Sequence, residues 1–174
     1  KAETKNVFRI GNPLDKKTTF GPIASRKQID QINQYLTVGR EEGADLETLS
    51  LSGETPTTGF YLSPTLFDNT NNSMRIAQEE IFGPALSVIS FKTDEEAIRL
   101  ANGVNYGLAA TVWTKDLSRA RRLARDLDAG DISICATTTP ATPTAALSME
   151  PFGQSGHGVL GGRRGLEPYQ RIKA

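Results

Sequence analysis

The residues best suited to chemistry in this chain stand in the stretch Gln78-Glu79-Glu80-Ile81-Phe82-Gly83-Pro84. Two acids stand side by side, an aromatic residue follows, and a Gly-Pro pair breaks the chain before an apolar run. A carboxylate at such a bend could accept hydrogen bonds from a polyol such as a ribose, and a ring there could pack against a planar ligand. The same pattern also fits a helix end with a solvated acid and a buried apolar anchor, which is its commoner meaning. These seven residues alone leave both interpretations open.

The sequence has a single cysteine and a single histidine, and neither stands in a catalytic pattern. Cys135 lies at the end of a predicted strand, where α/β proteins often carry functional groups, but a reactive thiol needs a nearby base or positive charge. No such residue stands in Ser-Ile-Cys-Ala, so we expect a buried strand cysteine. No nucleophile can be placed near His157 from the sequence, so a role as general base is not favoured.

Residues 156–161 match the dinucleotide-binding pattern G-x-G-x-x-G. That fingerprint needs a strand before it and an acidic residue about 20 positions later. A Pro-Phe-Gly loop precedes these glycines instead, so we reject this interpretation and expect glycines that allow close packing or a positive φ. Arg163 and Arg164 are expected to be solvated.

Composition excludes several classes of function. The 174 residues include 20 Lys and Arg and 20 Asp and Glu, so the net charge is zero and nothing marks a partner that is nucleic acid or an anionic membrane. One cysteine and one histidine exclude an internal disulfide, a cysteine-based zinc site and a multi-histidine site, so no metal is expected. No apolar run approaches the roughly 20 residues that cross a bilayer, and the first residues lack the apolar core of a signal peptide. We therefore expect a cytoplasmic protein without a membrane partner.

The elements that must position these residues follow one another as in an α/β protein. A capping box of Ser25 and Gln28 predicts the start of a helix that ends at Gly43. Strands are predicted within residues 45–51, 60–67, 85–91, 109–113 and 132–134, and helices capped by Asp94 and Asp116 separate the last three. The inward faces of these two helices are predicted to be Ala97, Ile98 and Ala101 in the first and Leu117, Ala120, Leu123, Ala124 and Leu127 in the second.

This order predicts one α/β domain over residues 1–174, with a mostly parallel sheet covered by helices and right-handed crossovers. The apolar run 85–91 suits an interior strand of a sheet that is covered on both sides. The segment 136–148, rich in Thr, Ala and Pro, is expected to be an irregular loop.

Several motifs in register resemble the C-terminal portion of the aldehyde dehydrogenase superfamily. The resemblance covers nearly the whole chain and includes the family's most recognisable block, E-E-I-F-G-P, at residues 79–84. The other pieces occur in the family's order: G-x-P-x-D and G-P within residues 11–22, G-[YF]-[YF]-x-x-P-T-[LV] at 59–66, A-N-x-x-x-Y-G-L-A-A at 101–110, and P-F-G, S-G-x-G and G-L within 151–166. Several motifs in one order are far more specific than any one of them.

The resemblance implies the catalytic-domain fold of that family and part of an enzyme that oxidises an aldehyde to a carboxylic acid with NAD or NADP. In that chemistry a cysteine thiolate attacks the aldehyde, a hydride leaves to the nicotinamide, and water releases the acyl group. By their places in the matching motifs, Glu80 is implied to bind the ribose next to the nicotinamide, Phe82 to stand at the nicotinamide end, and Phe152 to line the aldehyde tunnel. The implied partners are an aldehyde, the rest of the aldehyde dehydrogenase chain and further copies in a homo-oligomer.

The departures from the family pattern concern catalysis. The family's catalytic cysteine, its general-base glutamate and most of its dinucleotide-binding domain are expected upstream of Lys1. Cys135 is no substitute, because it matches a position where many members have an asparagine after a strand. No catalytic residue is therefore assigned, and we expect that the isolated chain does not oxidise aldehydes. The loop 136–148 lacks the aromatic residues that often line the tunnel, which leaves the identity of the aldehyde open.

A stand-alone binding or oligomerisation module on the same scaffold is the alternative, because a fold does not fix a function. A severed catalytic domain should expose an apolar patch and self-associate, whereas a module that works alone should be monodisperse. Light scattering at several concentrations separates these two expectations.

Overall fold

A computed structural model of the protein describes residues 4–136, 147–171 and 173. The chain divides into two compact units, residues 1–90 and 91–174, which are described separately below. Each unit mixes helices with short strands, as predicted for an α/β protein. The single domain over residues 1–174 stays a prediction.

The first unit is built on one long helix and a three-stranded sheet. Its elements are α1 (Thr4–Val7), β1 (Arg9–Ile10), α2 (Arg26–Glu41), β2 (Asp45–Thr48), β3 (Ser52–Gly53), β4 (Thr65–Asp68), α3 (Arg75–Gln78) and β5 (Ala85–Ser87). The sheet has the order β2-β4-β5, in which β4 runs antiparallel to β2 and parallel to β5. The short strands β1 and β3 form a separate parallel pair.

The core of the first unit lies between α2 and this sheet. Ile32 of α2 and Phe67 of β4 are fully buried, and Ile76 and Ile81 join them in one apolar cluster. Gly39 allows the close approach of α2, because a Cβ there would lie 2.5 Å from the Phe67 ring. Burying side chains of this size stabilises the unit by about 2 kcal/mol each.

The predicted interior strand over residues 85–91 is wrong in length and in burial. Only Ala85–Ser87 forms a strand, and Leu86 is 60% exposed. Among the described residues β5 pairs with β4 alone, and the Val88 amide makes the last bond of that ladder, to the Phe67 carbonyl at 2.9 Å. The apolar sequence thus continues beyond the point where a neighbouring strand supports extended backbone.

The second unit carries a strand–helix–strand crossover. Its elements are α4 (Asp94–Ala101), β6 (Tyr106–Gly107), β7 (Ala109–Trp113), α5 (Leu117–Asp126), β8 (Asp131–Cys135), β9 (Phe152–Gly153) and a 3₁₀ helix (Arg164–Tyr169). Strands β7 and β8 are parallel over five residue pairs, and β6 pairs antiparallel with β9. The crossover β7–α5–β8 confirms the predicted alternation in this part of the chain.

The helix ends of the second unit confirm one predicted cap and correct another. The Asp116 side chain accepts bonds from the Ser118 and Arg119 amides, as expected of an N-cap. Helix α4 is capped by the Thr93 hydroxyl instead of Asp94, which is its first residue. A threonine placed before the first turn can accept the Glu96 amide, whereas the carboxylate after it turns to arginine side chains.

The predicted inward faces of α4 and α5 are only partly correct. Ala120 and Leu123 are buried, but Leu117 and Ala101 are exposed and no residue of α4 is fully buried. Leu117 is the first residue of α5, next to the N-cap Asp116, and the residues around it are also exposed. In the part of the chain that the structure describes, none of the helices combines the length and the apolar composition that crossing a membrane requires.

Candidate functional site

The segment 79–84 connects α3 to β5 and turns its side chains in opposite directions. Ile81 is 7% exposed and belongs to the apolar core, whereas Phe82 is 71% exposed and Glu80 is also exposed. The buried isoleucine therefore anchors a loop that presents an acid and a ring to the outside. This geometry combines both sequence interpretations, a buried anchor and an accessible carboxylate beside an aromatic ring.

The two adjacent acids have different surroundings. Glu79 is bound at both oxygens: it accepts from Tyr35 Oη at 2.7 Å and from Arg75 Nε and Nη2 at 2.9 and 3.0 Å. The Arg75 guanidinium, and after it the Tyr35 hydroxyl, hold the pKa of the Glu79 carboxyl below its usual range. Arg75 also donates its amide to Glu42, so these contacts join α2, α3 and the start of the segment.

Glu80 has no such partners. Within the described residues its side chain makes neither a hydrogen bond nor an ion pair, and it is exposed. An ionised carboxylate can accept several hydrogen bonds at once. The oxygens of Glu80 are therefore available to a ligand that donates, whereas those of Glu79 are used within the fold.

Phe82 adopts a backbone conformation that is uncommon for its type. Its φ is +53°, in the left-handed region that favours glycine. The side-chain amide of Gln28 donates to the carbonyl of Ile81 at 3.2 Å and to that of Phe82 at 2.9 Å. The segment is thus held from α2 at two successive carbonyls.

These two bonds correct the predicted capping box. The Ser25 hydroxyl accepts from the Gln28 amide N–H at 3.2 Å, as predicted. Among the described residues the Gln28 side chain does not complete the box, since it accepts no bond from the Ser25 amide; its Nε2 donates to the segment 79–84 instead. Sequence reasoning missed this role, since 53 and 54 positions separate the partners and no local pattern connects them.

The end of the segment is fixed by close packing. A Cβ on Gly83 would lie 2.5 Å from Ile32 Cδ1 on α2, so only glycine fits without displacement. The Pro84 carbonyl then accepts from the Thr65 amide at 2.8 Å, which joins the segment to β4. Helix, sheet and core together therefore set where Glu80 and Phe82 stand.

Hollows lie on the surface of the first unit beside the segment and along α2. One of about 280 Å³ borders the segment and is lined by residues that include Ile76, Phe82 and Leu86. The other, about 1270 Å³, runs along the polar face of α2 and does not include Phe82. Glu80 lines neither of these hollows. The smaller hollow is the one that could receive a planar group beside the ring of Phe82.

Phe152 lies in the second unit, in β9. It is 45% exposed and borders a hollow of about 300 Å³ that is lined mostly by polar residues: Asn102, Asn105, Tyr106, Asp128 and Gln154. A Cβ on Gly107 of β6 would meet Phe152 Cβ at 2.7 Å, so the pairing of β6 with β9 fixes the phenylalanine closely. Residues 137–146 of the predicted loop lie outside the described residues.

The predicted burial of Cys135 is confirmed, whereas the absence of a catalytic role for His157 stays a prediction. Cys135 ends β8 and is only 3% exposed, and its carbonyl accepts from the Thr114 amide at 3.0 Å. His157 is exposed between Gly156 and Gly158, whose φ values are +139° and +91°. Within the described ranges no three His, Cys, Asp or Glu side chains are grouped so that they could hold a metal ion.

Comparison with known sequences gives a consistent result. The profile of the aldehyde dehydrogenase family matches residues 1–174. A curated relative from Staphylococcus saprophyticus, named as an aldehyde dehydrogenase, is 40% identical over 177 aligned residues. That alignment covers 99% of this chain but 36% of the relative.

Solved structures give the same picture for the fold. A point mutant of betaine aldehyde dehydrogenase from Staphylococcus aureus, crystallised with NAD+, is 35% identical with a TM-score of 0.87, over 99% of this chain and 35% of that one. An NAD-dependent aldehyde dehydrogenase from Sinorhizobium meliloti is 34% identical with a TM-score of 0.83, over 94% and 32%. The predicted catalytic-domain type of α/β fold is confirmed. The chain spans about a third of the length of the proteins it matches.

Proposed function

This chain belongs to the aldehyde dehydrogenase family, and from that premise we propose that it is part of an enzyme that oxidises an aldehyde to a carboxylic acid with NAD or NADP. The activity is proposed for a whole protein, because the chain corresponds to 36% of its curated relative. Two similar structures support the cofactor class, since one contains NAD+ and the other is named as NAD-dependent. The cytoplasmic location and the homo-oligomer stay predictions.

The part of the reaction assigned to this chain is to hold the cofactor in place. Glu80 accepts hydrogen bonds from the hydroxyls of the ribose next to the nicotinamide. The observation that carries this role is its exposed carboxylate, which has no partner among the described residues and stands on a loop anchored by Ile81. Charge-assisted bonds of this kind are about twice as strong as neutral ones and fix an orientation.

The two aromatic residues have separate roles. Phe82 packs its exposed ring against the nicotinamide end of the cofactor, and Phe152 lines the path of the aldehyde. The bound cofactor supplies the hydride acceptor for the oxidation. Hydride transfer needs the two reacting carbons held close together and aligned, so the contribution of these residues is position.

The nucleophile of the reaction lies outside these 174 residues. Cys135 is the only cysteine in the sequence, and its burial in β8 keeps an aldehyde from reaching it. The isolated chain is therefore inactive, since residues that position substrates cannot replace the covalent step. Production of NAD(P)H by the purified chain, above a control without protein, would overturn this.

The substitution Glu80→Gln in the full-length protein tests the ribose contact. It keeps the size of the side chain but removes its charge, so hydride transfer should slow by roughly tenfold or more while the free energy of unfolding changes little. The rate of NAD(P)H appearance in a single turnover measures this, with the cofactor dissociation constant determined in parallel. We expect the rate to change more than the affinity.

Glu79→Gln is the matched control, because it makes the same chemical change one residue earlier. Its cost should appear in stability, at about 0.5 to 1 kcal/mol, since it weakens the contacts with Arg75 and Tyr35. Hydride transfer at the wild-type rate in Glu80→Gln would remove Glu80 from the site. Equal slowing in both variants would mean that the loop was merely disturbed.

A further inference from the structure

The Gln28 side chain bonds to the two carbonyls that flank the Cα of Phe82. Its Nε2 donates to the Ile81 oxygen at 3.2 Å and to the Phe82 oxygen at 2.9 Å. The first oxygen belongs to the peptide plane before Phe82 and the second to the plane after it. Because a peptide unit is planar, fixing both planes fixes φ and ψ of the residue between them.

The backbone at Phe82 needs such support. A φ of +53° is sparsely populated by residues with a large side chain and persists only where the surroundings enforce it. Gly83 and Pro84 fix the chain after this point through Ile32 and Thr65. Glu79 fixes it before this point through Tyr35 and Arg75. Among the described residues, Gln28 is the side chain that donates to the carbonyls of the turn itself.

The direction of the side chains depends on this conformation. If Phe82 relaxed to an ordinary negative φ, its ring would swing and the chain before it would turn, which would move the carboxylate of Glu80. A displacement of about 1 Å at a positioning group can slow a reaction by a hundredfold. A small backbone change at residue 82 is therefore enough to affect the reaction.

We propose that Gln28 is a positioning residue for hydride transfer, which acts by holding Phe82 in the left-handed conformation and so aims Glu80 and Phe82 at the cofactor. This inference rests on the proposed function of Glu80. Gln28 acts through the backbone carbonyls of the segment, from the first turn of α2. The Gln28 side chain is half-buried, and α2 carries it beside those two carbonyls.

The test compares Gln28→Met and Gln28→Glu in the full-length protein. Methionine keeps the length of the side chain but cannot donate a hydrogen bond. Glutamate keeps the shape, but its carboxylate oxygens are repelled by the two carbonyl oxygens. Hydride transfer in a single turnover should fall roughly three- to tenfold with methionine, and further with glutamate. The dissociation constant for NAD+ should change less than the rate.

A second measurement reads the loop directly. Hydrogen exchange in the peptide that covers residues 79–86 should become faster in both Gln28 variants. Gln34→Met is the matched control, since Gln34 is exposed on the same helix and makes no bond to the segment among the described residues. It should leave both the rate and the exchange unchanged.

Each other outcome overturns the inference in a recognisable way. If Gln28→Glu retains the wild-type rate, the shape of the side chain matters and its donor does not. If both Gln28 variants transfer hydride at the wild-type rate while Glu80→Gln is slow, the proposed function is retained and the role of Gln28 is refuted. If Glu80→Gln is itself at the wild-type rate, the proposed function fails first and the role of Gln28 fails with it.

Discussion

Glu80 in the segment 79–84 of the first unit and Asp94 at the start of α4 in the second unit have opposite surroundings. Asp94 is bound by the guanidinium groups of Arg119 and Arg122 from α5, and its side chain is 14% exposed. Arg119 first, and Arg122 after it, hold the pKa of the Asp94 carboxyl below its usual range. Glu80 has no partner among the described residues and faces outward.

The difference shows how to separate a structural carboxylate from one that can bind a ligand. Asp94 joins two helices, and a ligand would have to compete with two arginines for its oxygens. Among the described residues the Glu80 side chain makes no hydrogen bond or ion pair, whereas the backbone next to it is fixed by Ile81, Gln28 and Gly83. An unpaired group on a well-supported loop is a candidate for binding, because its position does not depend on contacts of its own.

Of the substitutions that test this difference, Gly83→Ala should change the free energy of unfolding most. In Gly83→Ala the added Cβ meets Ile32 at 2.5 Å, so the segment or α2 must shift, and we expect a loss of about 1 to 3 kcal/mol in the free energy of unfolding. Urea unfolding followed by circular dichroism measures this loss. Hydride transfer in the full-length protein should slow as well, since Glu80 moves with its support.

Gly21→Ala is the control for that change, because no atom lies within 4 Å of a Cβ at this position. It should alter stability by no more than about 0.5 kcal/mol. A Gly83→Ala protein as stable as Gly21→Ala would mean that the segment is not held against α2 as the structure describes.

Removing the charge of Asp94 should lower the stability less than Gly83→Ala does, and the loss should depend on pH. A carboxyl whose pKa is lowered by folding stabilises the protein above its unfolded pKa of about 3.9, and this stabilisation is lost as the pH falls through the lower folded value. Asp94→Asn should therefore be less stable near neutral pH and should lose less stability on acidification below about pH 4. Thermal unfolding midpoints across that range measure both effects.

Glu95→Gln offers the matching control in the same turn of α4. Its side chain is 76% exposed and, within the part of the chain that the structure describes, pairs with Arg122 alone, so a smaller change is expected. Asp94→Asn and wild type with parallel pH profiles would contradict the assignment of Asp94 as a structural acid. Hydride transfer should be unaffected by either change, which separates this region from the segment 79–84.

The sequence predicted what depends on local or repeated patterns. The cap at Asp116 and the crossover of β7, α5 and β8 were predictable because neighbouring residues determine them. The burial of Cys135 followed from its place in an apolar strand and the absence of an activating neighbour. The motif in the sequence identified residues 79–84 as candidates, but it did not predict which of their side chains are buried or bonded.

Contacts between distant residues were beyond sequence reasoning. Nothing near Gln28 shows that its amide serves carbonyls more than 50 positions away, and the local capping box suggested another partner. The sequence does not distinguish the surroundings of Glu79 from those of Glu80, because it is the fold that brings Tyr35 to Glu79. The strand at 85–91 was overestimated because apolar residues also occur where no neighbouring strand supports them.

The most direct test of the central claim pairs Glu80 with the hydroxyls that it is proposed to bind. Hydride transfer is measured for the wild-type full-length protein and for Glu80→Gln, each with NAD+ and with an analogue that lacks the hydroxyls of the ribose next to the nicotinamide. If Glu80 binds those hydroxyls, the analogue slows the wild type markedly but the variant little, since the contact is already lost. If the analogue slows both proteins by the same factor, the two groups do not interact and the claim is contradicted.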